Sequence, residues 1–103
     1  MEVMDENICG VYIVTNDGNR IIYIGMSTML LDRIQSHREK LVDGFAKKHN
    51  CTRLVYYEIL PDKDSALYRE KELKGWSRLK KTALIQSLNP TWKDLFDELL
   101  SLA

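Results

Sequence analysis

Five side chains able to exchange protons or hold an ion stand at spacings that can bring them together: Tyr12, Tyr23, Arg33, His37 and Glu70. Tyr12 closes the triplet Gly10-Val11-Tyr12, and Tyr23 opens the triplet Tyr23-Ile24-Gly25, with ten residues between them. Two β-rich runs flank Asn16-Asp17-Gly18-Asn19, which reads as a hairpin turn. Both tyrosines then belong to paired strands and can sit close together. Arg33, His37 and Lys40 recur at i, i+4 and i+7 on the helix that follows. They are displaced by about one residue from the apolar stripe Leu30, Ile34 and Leu41, where side chains can border a cleft. Glu70 shares the apolar face of a later helix with Ala66 and Leu73. A carboxylate there is costly unless it is paired, hydrogen-bonded or holding a cation. Lys74, at i+4, is the partner that would satisfy it within the helix.

The elements that must position these groups are read as follows. Ile8 to Thr15 and Arg20 to Gly25 form the first two strands. Leu30 to Val42 forms an amphipathic helix capped by Ser27 or Thr28 and closed by Asp43-Gly44. Phe45 to Asn50 is short, basic and ambiguous. Arg53 to Leu60 is a third strand, ended by Pro61-Asp62. A helix over about 65–76 follows a cap at Asp62, Asp64 or Ser65. Ser77 caps another, through Leu88, with Leu79, Ala83, Leu84 and Leu88 inward and Arg78, Lys80 and Lys81 outward. Asn89-Pro90 stops it, and Thr91-x-x-Asp94 has the shape of a capping box for a last helix through about Leu102. Strand, strand, helix, strand and then helices imply an α+β domain, a small antiparallel sheet with helices packed on it.

The 103 residues, 45% hydrophobic and 29% charged, fit a single folded domain over 1–103 rather than a disordered chain. Net charge is zero, which argues against a strongly basic nucleic-acid binder. The charge is uneven, however: residues 33 to 81 hold 13 Lys+Arg against 7 Asp+Glu, leaving 2 and 8 for the two ends. A basic middle permits a phosphate-facing surface. Cys9 and Cys51, with His37 and His49, show no zinc-ligand spacing and read as reduced, buried thiols. No leader and no apolar run of about 18 residues is seen, so a cytoplasmic protein with no membrane span is expected.

The two triplets at hairpin spacing, Arg33 eight residues after Gly25, His37 one turn on and Glu70 in a later helix together resemble the GIY-YIG endonuclease superfamily. Ala66-x-x-Arg69-Glu70, Leu73-Lys74-x-Trp76 and Asn89-Pro90-x-Trp92 are similar to its small stand-alone bacterial members. Those in turn resemble the N-terminal nuclease domain of the excision-repair incision protein. The resemblance implies a three-stranded antiparallel sheet flanked by helices and a divalent-metal nuclease that cuts phosphodiester bonds in DNA, in repair or processing. RNA is the other candidate substrate.

By the same resemblance Glu70 would bind one Mg²⁺ or Mn²⁺, and Arg33 would hold a phosphate oxygen. Tyr12, Tyr23 and His37 are the candidates for activating water. A tyrosine is about one part in a thousand ionised at pH 7, so such a base needs a nearby cation or a proton acceptor. Lys40, Lys47, Lys48, Lys74 and Asn89 are the expected nucleic-acid contacts. Asn89 precedes Pro90, whereas many family members carry an asparagine after that proline. A domain of this length has no room for an attached DNA-binding module, so targeting would come from its own basic surface, from a dimer or from a protein partner, the chain being otherwise a monomer or weak dimer. The alternative function is a catalytically weak or inactive nucleic-acid-binding module of the same fold, and a third is an adaptor that docks a partner through its acidic last helix.

Overall fold

The computed structural model describes residues 8–41 and 44–102. The hairpin pairs β1 (Gly10–Thr15) with β2 (Ile22–Ser27), Tyr12 opposite Gly25 and Val14 opposite Tyr23. Asn16 fixes the turn, its Oδ1 accepting from the backbone N–H of Arg20 and of Ile21 at 3.0 and 3.1 Å. β3 (Arg53–Ile59) pairs antiparallel with the other side of β1, giving the order β2-β1-β3. The family's expected three-stranded sheet is therefore present.

One bulge interrupts β3. Ile13 faces Tyr56 while Val14 faces Leu54, so Val55 is the extra residue. Alternation otherwise sends Val11, Ile13 and Ile24 to one face and Tyr12, Val14, Tyr23 and Leu54 to the other. Each face has its own core. On the first pack α3 (Lys63–Lys74) and α4 (Arg78–Leu88) through Ala66, Leu73 and Ile85, together with Trp92. On the second pack α1 (Leu30–Arg38), α2 (Phe45–Lys48) and α5 (Phe96–Ser101) through Leu30, Leu31, Ile34, Ala46 and Leu99. No helix among the described residues is long and apolar enough to cross a membrane.

Several expected boundaries move, each for a local reason. α1 stops at Arg38 because Lys40 takes a left-handed conformation (φ +59°). The Lys40 N–H bonds the His37 carbonyl and the Leu41 N–H bonds the Ser36 carbonyl, a Schellman closure built without glycine. Leu41 is consequently exposed and Leu31 takes its place in the core. Val42 and Asp43, expected at the helix end, lie outside the described residues. Gly44 (φ +98°) precedes α2 instead of ending α1.

Asp62 is the cap of α3, its Oδ1 accepting from the Ser65 N–H at 2.8 Å. Ser77 caps α4 as expected. The inward face of α4 differs: Ile85 is fully buried, while Leu79, Ala83 and Leu88 are exposed. The capping box at Thr91 does not form. α5 begins only at Phe96, and Asp94 turns instead to the backbone N–H groups of Phe96 and Leu54.

Candidate active site

Tyr12 sits in the middle strand with 1% of its surface exposed, and its Oη lies 2.8 Å from His37 Nε2. His37 is equally buried, at 2% exposure, on the inner side of α1. It is therefore not the cleft-edge residue that the stripe with Arg33 and Lys40 implied. Burial, and then the charges of Tyr23 and Glu70, push the Tyr12 phenol well above its ordinary range, although Arg33 pulls the other way. Burial and the Arg33 guanidinium push His37 down to about 4. At neutral pH the imidazole is therefore uncharged and Tyr12 keeps its proton. Phenol and imidazole thus share one neutral hydrogen bond, whose direction follows the imidazole tautomer.

Gly25 makes this possible. A Cβ at that position would lie 2.3 Å from Tyr12 Oη, so a side chain there would displace the phenol. The glycine of the second triplet thus makes room for the tyrosine of the first, directly opposite it.

Tyr23 lies on the same face but nearer the surface, on the edge strand β2. Its ring centroid is 6.4 Å from that of Tyr12 and 5.6 Å from that of His37. No hydrogen bond within the described residues holds its hydroxyl. Lys74 Nζ stands 5.9 Å from the Tyr23 ring centroid, reaching round from α3. The same ammonium is 3.3 Å from Glu70 Oε2. The intrahelical pair that the spacing allowed is thus formed, and the two residues together face the edge of β2. Arg33 is exposed one turn before His37, and its charge reaches both Tyr12 and His37. It lines an open cavity of about 330 Å³ with Ser27, Thr28, Asp32 and Ser36. All five residues therefore meet in one region, delivered by β1, β2, α1 and α3.

Glu70 is a half-buried carboxylate, with 21% of its side chain exposed. No group of three or more His, Cys, Asp or Glu side chains able to hold a metal occurs among the described residues. A single carboxylate fits a cation that keeps most of its water and gains ligands from a bound phosphate, and it does not fit an all-protein cage.

The expected nucleic-acid contacts divide. Lys74 borders the cleft at β2, which has a volume of about 200 Å³ and is lined by Ile22, Tyr23, Ile24, Phe45, Lys74 and Lys81. Lys47 and Lys48 are exposed on α2, which also carries Phe45. Lys40 lies beyond the end of α1 and faces a different groove, formed with the hairpin turn and His49. Asn89 is 2% exposed, and both its amide protons are spent, on the carbonyls of Val55 (3.1 Å) and Lys93 (2.8 Å). It fastens the end of α4 to the bulged residue of β3, and its amide has no donor left for nucleic acid. Two cleft residues escaped sequence reasoning. Phe45 lies in the segment left ambiguous, and Lys81 was assigned to the solvent side of α4. A lysine at the rim of a helix face carries no sequence signal that tells a cleft from open solvent.

Residues 8–83 match the model of the GIY-YIG catalytic domain. The chain belongs to the GIY-YIG family, a family of nuclease domains that act on nucleic acid. It is similar to the UPF0213 protein of Staphylococcus aureus strain Mu3, with 35% identity over 77 residues, covering 74% of this chain and 92% of the relative. The UPF0213 proteins of strains Mu50 and N315 match with the same identity and coverage. No solved structure matches the chain significantly.

Proposed function

We propose that this domain is a divalent-metal-dependent nuclease that hydrolyses phosphodiester bonds in DNA, in repair or processing within the cytoplasm. The observation that carries the reading is the convergence on Tyr12: it bonds His37 while Tyr23, Arg33 and Glu70 all act on its phenol. A buried polar pair perturbed by the charges around it marks a candidate site of chemistry.

Tyr23 is the residue assigned to activate water. It is the more exposed of the two tyrosines, its hydroxyl is uncommitted within the described residues, and the Lys74 ammonium lies 5.9 Å from its ring centroid. Tyr12 is buried and keeps its proton, which suits a positioning role with His37 as its fixed partner. Arg33 offers its fork to a non-bridging phosphate oxygen, where charge grows in the transition state. Water oxygen bonds to phosphorus as its proton passes to Tyr23 in its phenolate form, and the bond to the leaving oxygen breaks as that oxygen takes a proton from solvent. Glu70 would hold a Mg²⁺ or Mn²⁺ ion, which would supply positive charge at the phosphate.

Cleavage of labelled single-strand, duplex, flap, nicked and branched DNA and RNA, with Mg²⁺ or Mn²⁺, tests the reading. Wild type should cut, and Glu70→Ala should not. Equal traces from both would point to contamination and remove the assignment. A second reading is a binding module that cuts weakly or not at all. The Lys74–Glu70 pair favours it, since a cation must compete with an ammonium already 3.3 Å away.

A further inference from the structure

We infer that Phe45 is a stacking platform for an unpaired nucleobase, so that the domain takes single-stranded nucleic acid in preference to intact duplex. The inference rests on the nuclease reading and specifies its substrate. Phe45 opens α2 and leaves half its surface, 50%, in solvent, although the core of that face lies directly beneath. Its ring stacks on Tyr23, with centroids 6.4 Å apart and planes within 22°. His49 lies 4.4 Å from it by centroid, with planes tilted by 47°. The three rings form a short ladder that ends at the tyrosine assigned to water activation.

Two ammonium groups complete the surroundings. Lys74 and Lys81 line the same cleft of about 200 Å³ as Phe45 and Tyr23. An exposed aromatic face between basic side chains is the arrangement that holds single strands: bases stack on the ring while phosphates meet the cations. Bases within a duplex have both faces covered by their neighbours, so they cannot use the platform without leaving the stack. Packing alone does not account for Phe45, because Ala46, its neighbour in α2, is the residue that enters the core.

The test measures binding without catalysis. A single-stranded DNA 12-mer carrying 2-aminopurine, and its duplex form, are titrated with wild type in EDTA, reading 2-aminopurine fluorescence and the anisotropy of an end label. Wild type should quench the single strand and bind it at least tenfold more tightly than the duplex at equal salt. Phe45→Leu should weaken single-strand binding roughly five- to 100-fold, lose the quench and leave duplex binding unchanged. Phe45→Trp should restore both signals, which excludes a folding defect as the cause. Equal binding of single strand and duplex by wild type, an unchanged quench in Phe45→Leu, or failure of Phe45→Trp to rescue would each overturn the inference. Cleavage with Mn²⁺ is scored separately. Cleavage by wild type with no Phe45 effect defeats the platform and spares the nuclease, and Phe45-dependent binding without cleavage does the reverse.

Discussion

The hydroxyl of Tyr12 and the Nε2 of His37 meet at 2.8 Å inside the protein, one from the central strand and the other from the helix laid over it. Neither side chain has appreciable contact with solvent. The pair links the sheet to α1, and it is also the innermost part of the candidate site.

Acid should break that link. With His37 held at about 4 against an ordinary 6.5, the unfolded chain takes up the proton first. Its contribution to stability is full above about pH 6.5 and is lost as pH falls through 4. The difference amounts to about 3 kcal/mol. Urea midpoints between pH 7 and 4 should fall in wild type and fall less in His37→Phe. A wild-type midpoint that stays flat over that range would show that His37 is not buried in its neutral form.

Arg33 is expected to act on the transition state. Arg33→Ala should lower turnover by roughly 100-fold or more with a much smaller loss of DNA affinity. Removing its charge should also let the His37 pKa rise, an effect that NMR titration of the imidazole can follow. Loss of affinity alone would reduce Arg33 to a phosphate contact.

Tyr23→Phe and Tyr12→Phe should separate chemistry from structure. Tyr23→Phe should abolish most turnover and leave the thermal midpoint in place, since no described residue bonds its hydroxyl. Tyr12→Phe leaves the buried His37 Nε2 unpaired and should cost about 1–3 kcal/mol of stability. Should Tyr12→Phe cut normally while Tyr23→Phe is also active, neither phenol is the base.

Glu70→Ala should do the opposite of a core substitution. Its pair with Lys74 is a partly exposed helix pair, worth about 0.3–0.5 kcal/mol, so stability should hardly change. Metal-dependent cleavage should vanish. Retained cleavage would move the metal elsewhere.

Asn89→Ala is the control at a distance. It removes two buried donors and leaves the Val55 carbonyl unserved, at a cost of about 1–3 kcal/mol in urea unfolding. DNA affinity measured well below the melting temperature should not change.

Much of this was legible in the residues themselves. Period-two patterning and the turn at Asn16 to Asn19 define the hairpin, and with it the nearness of Tyr12 and Tyr23. Capping chemistry locates α4 at Ser77 and narrows the start of α3 to Asp62, Asp64 or Ser65, of which the structure uses Asp62. What failed depends on tertiary contact. Lys40 carries no sign that it will adopt a left-handed conformation and end α1. The choice of Ile85 over Leu88 as the inward residue of α4 is made by the sheet, not by the spacing. His37 looks like a rim residue on a helical wheel and is buried because Tyr12 offers it a partner from another element. Asn89 is an expected contact only through the resemblance, whose asparagine follows the proline rather than preceding it, and the bulge at Val55 is what uses it.

The sheet divides the molecule into two cores, and the candidate site draws on both. Arg33 and His37 arrive with the layer formed by α1, whereas Glu70 and Lys74 arrive with the layer formed by α3. Catalytic competence is thus a conjunction: a chain with one layer docked holds only part of the set. A chain without the second layer would lack Glu70 and Lys74 at the tyrosines, because the glutamate lies some forty residues downstream of Arg33 and belongs to α3. In refolding experiments, recovery of cleavage should follow the slower of the two layers.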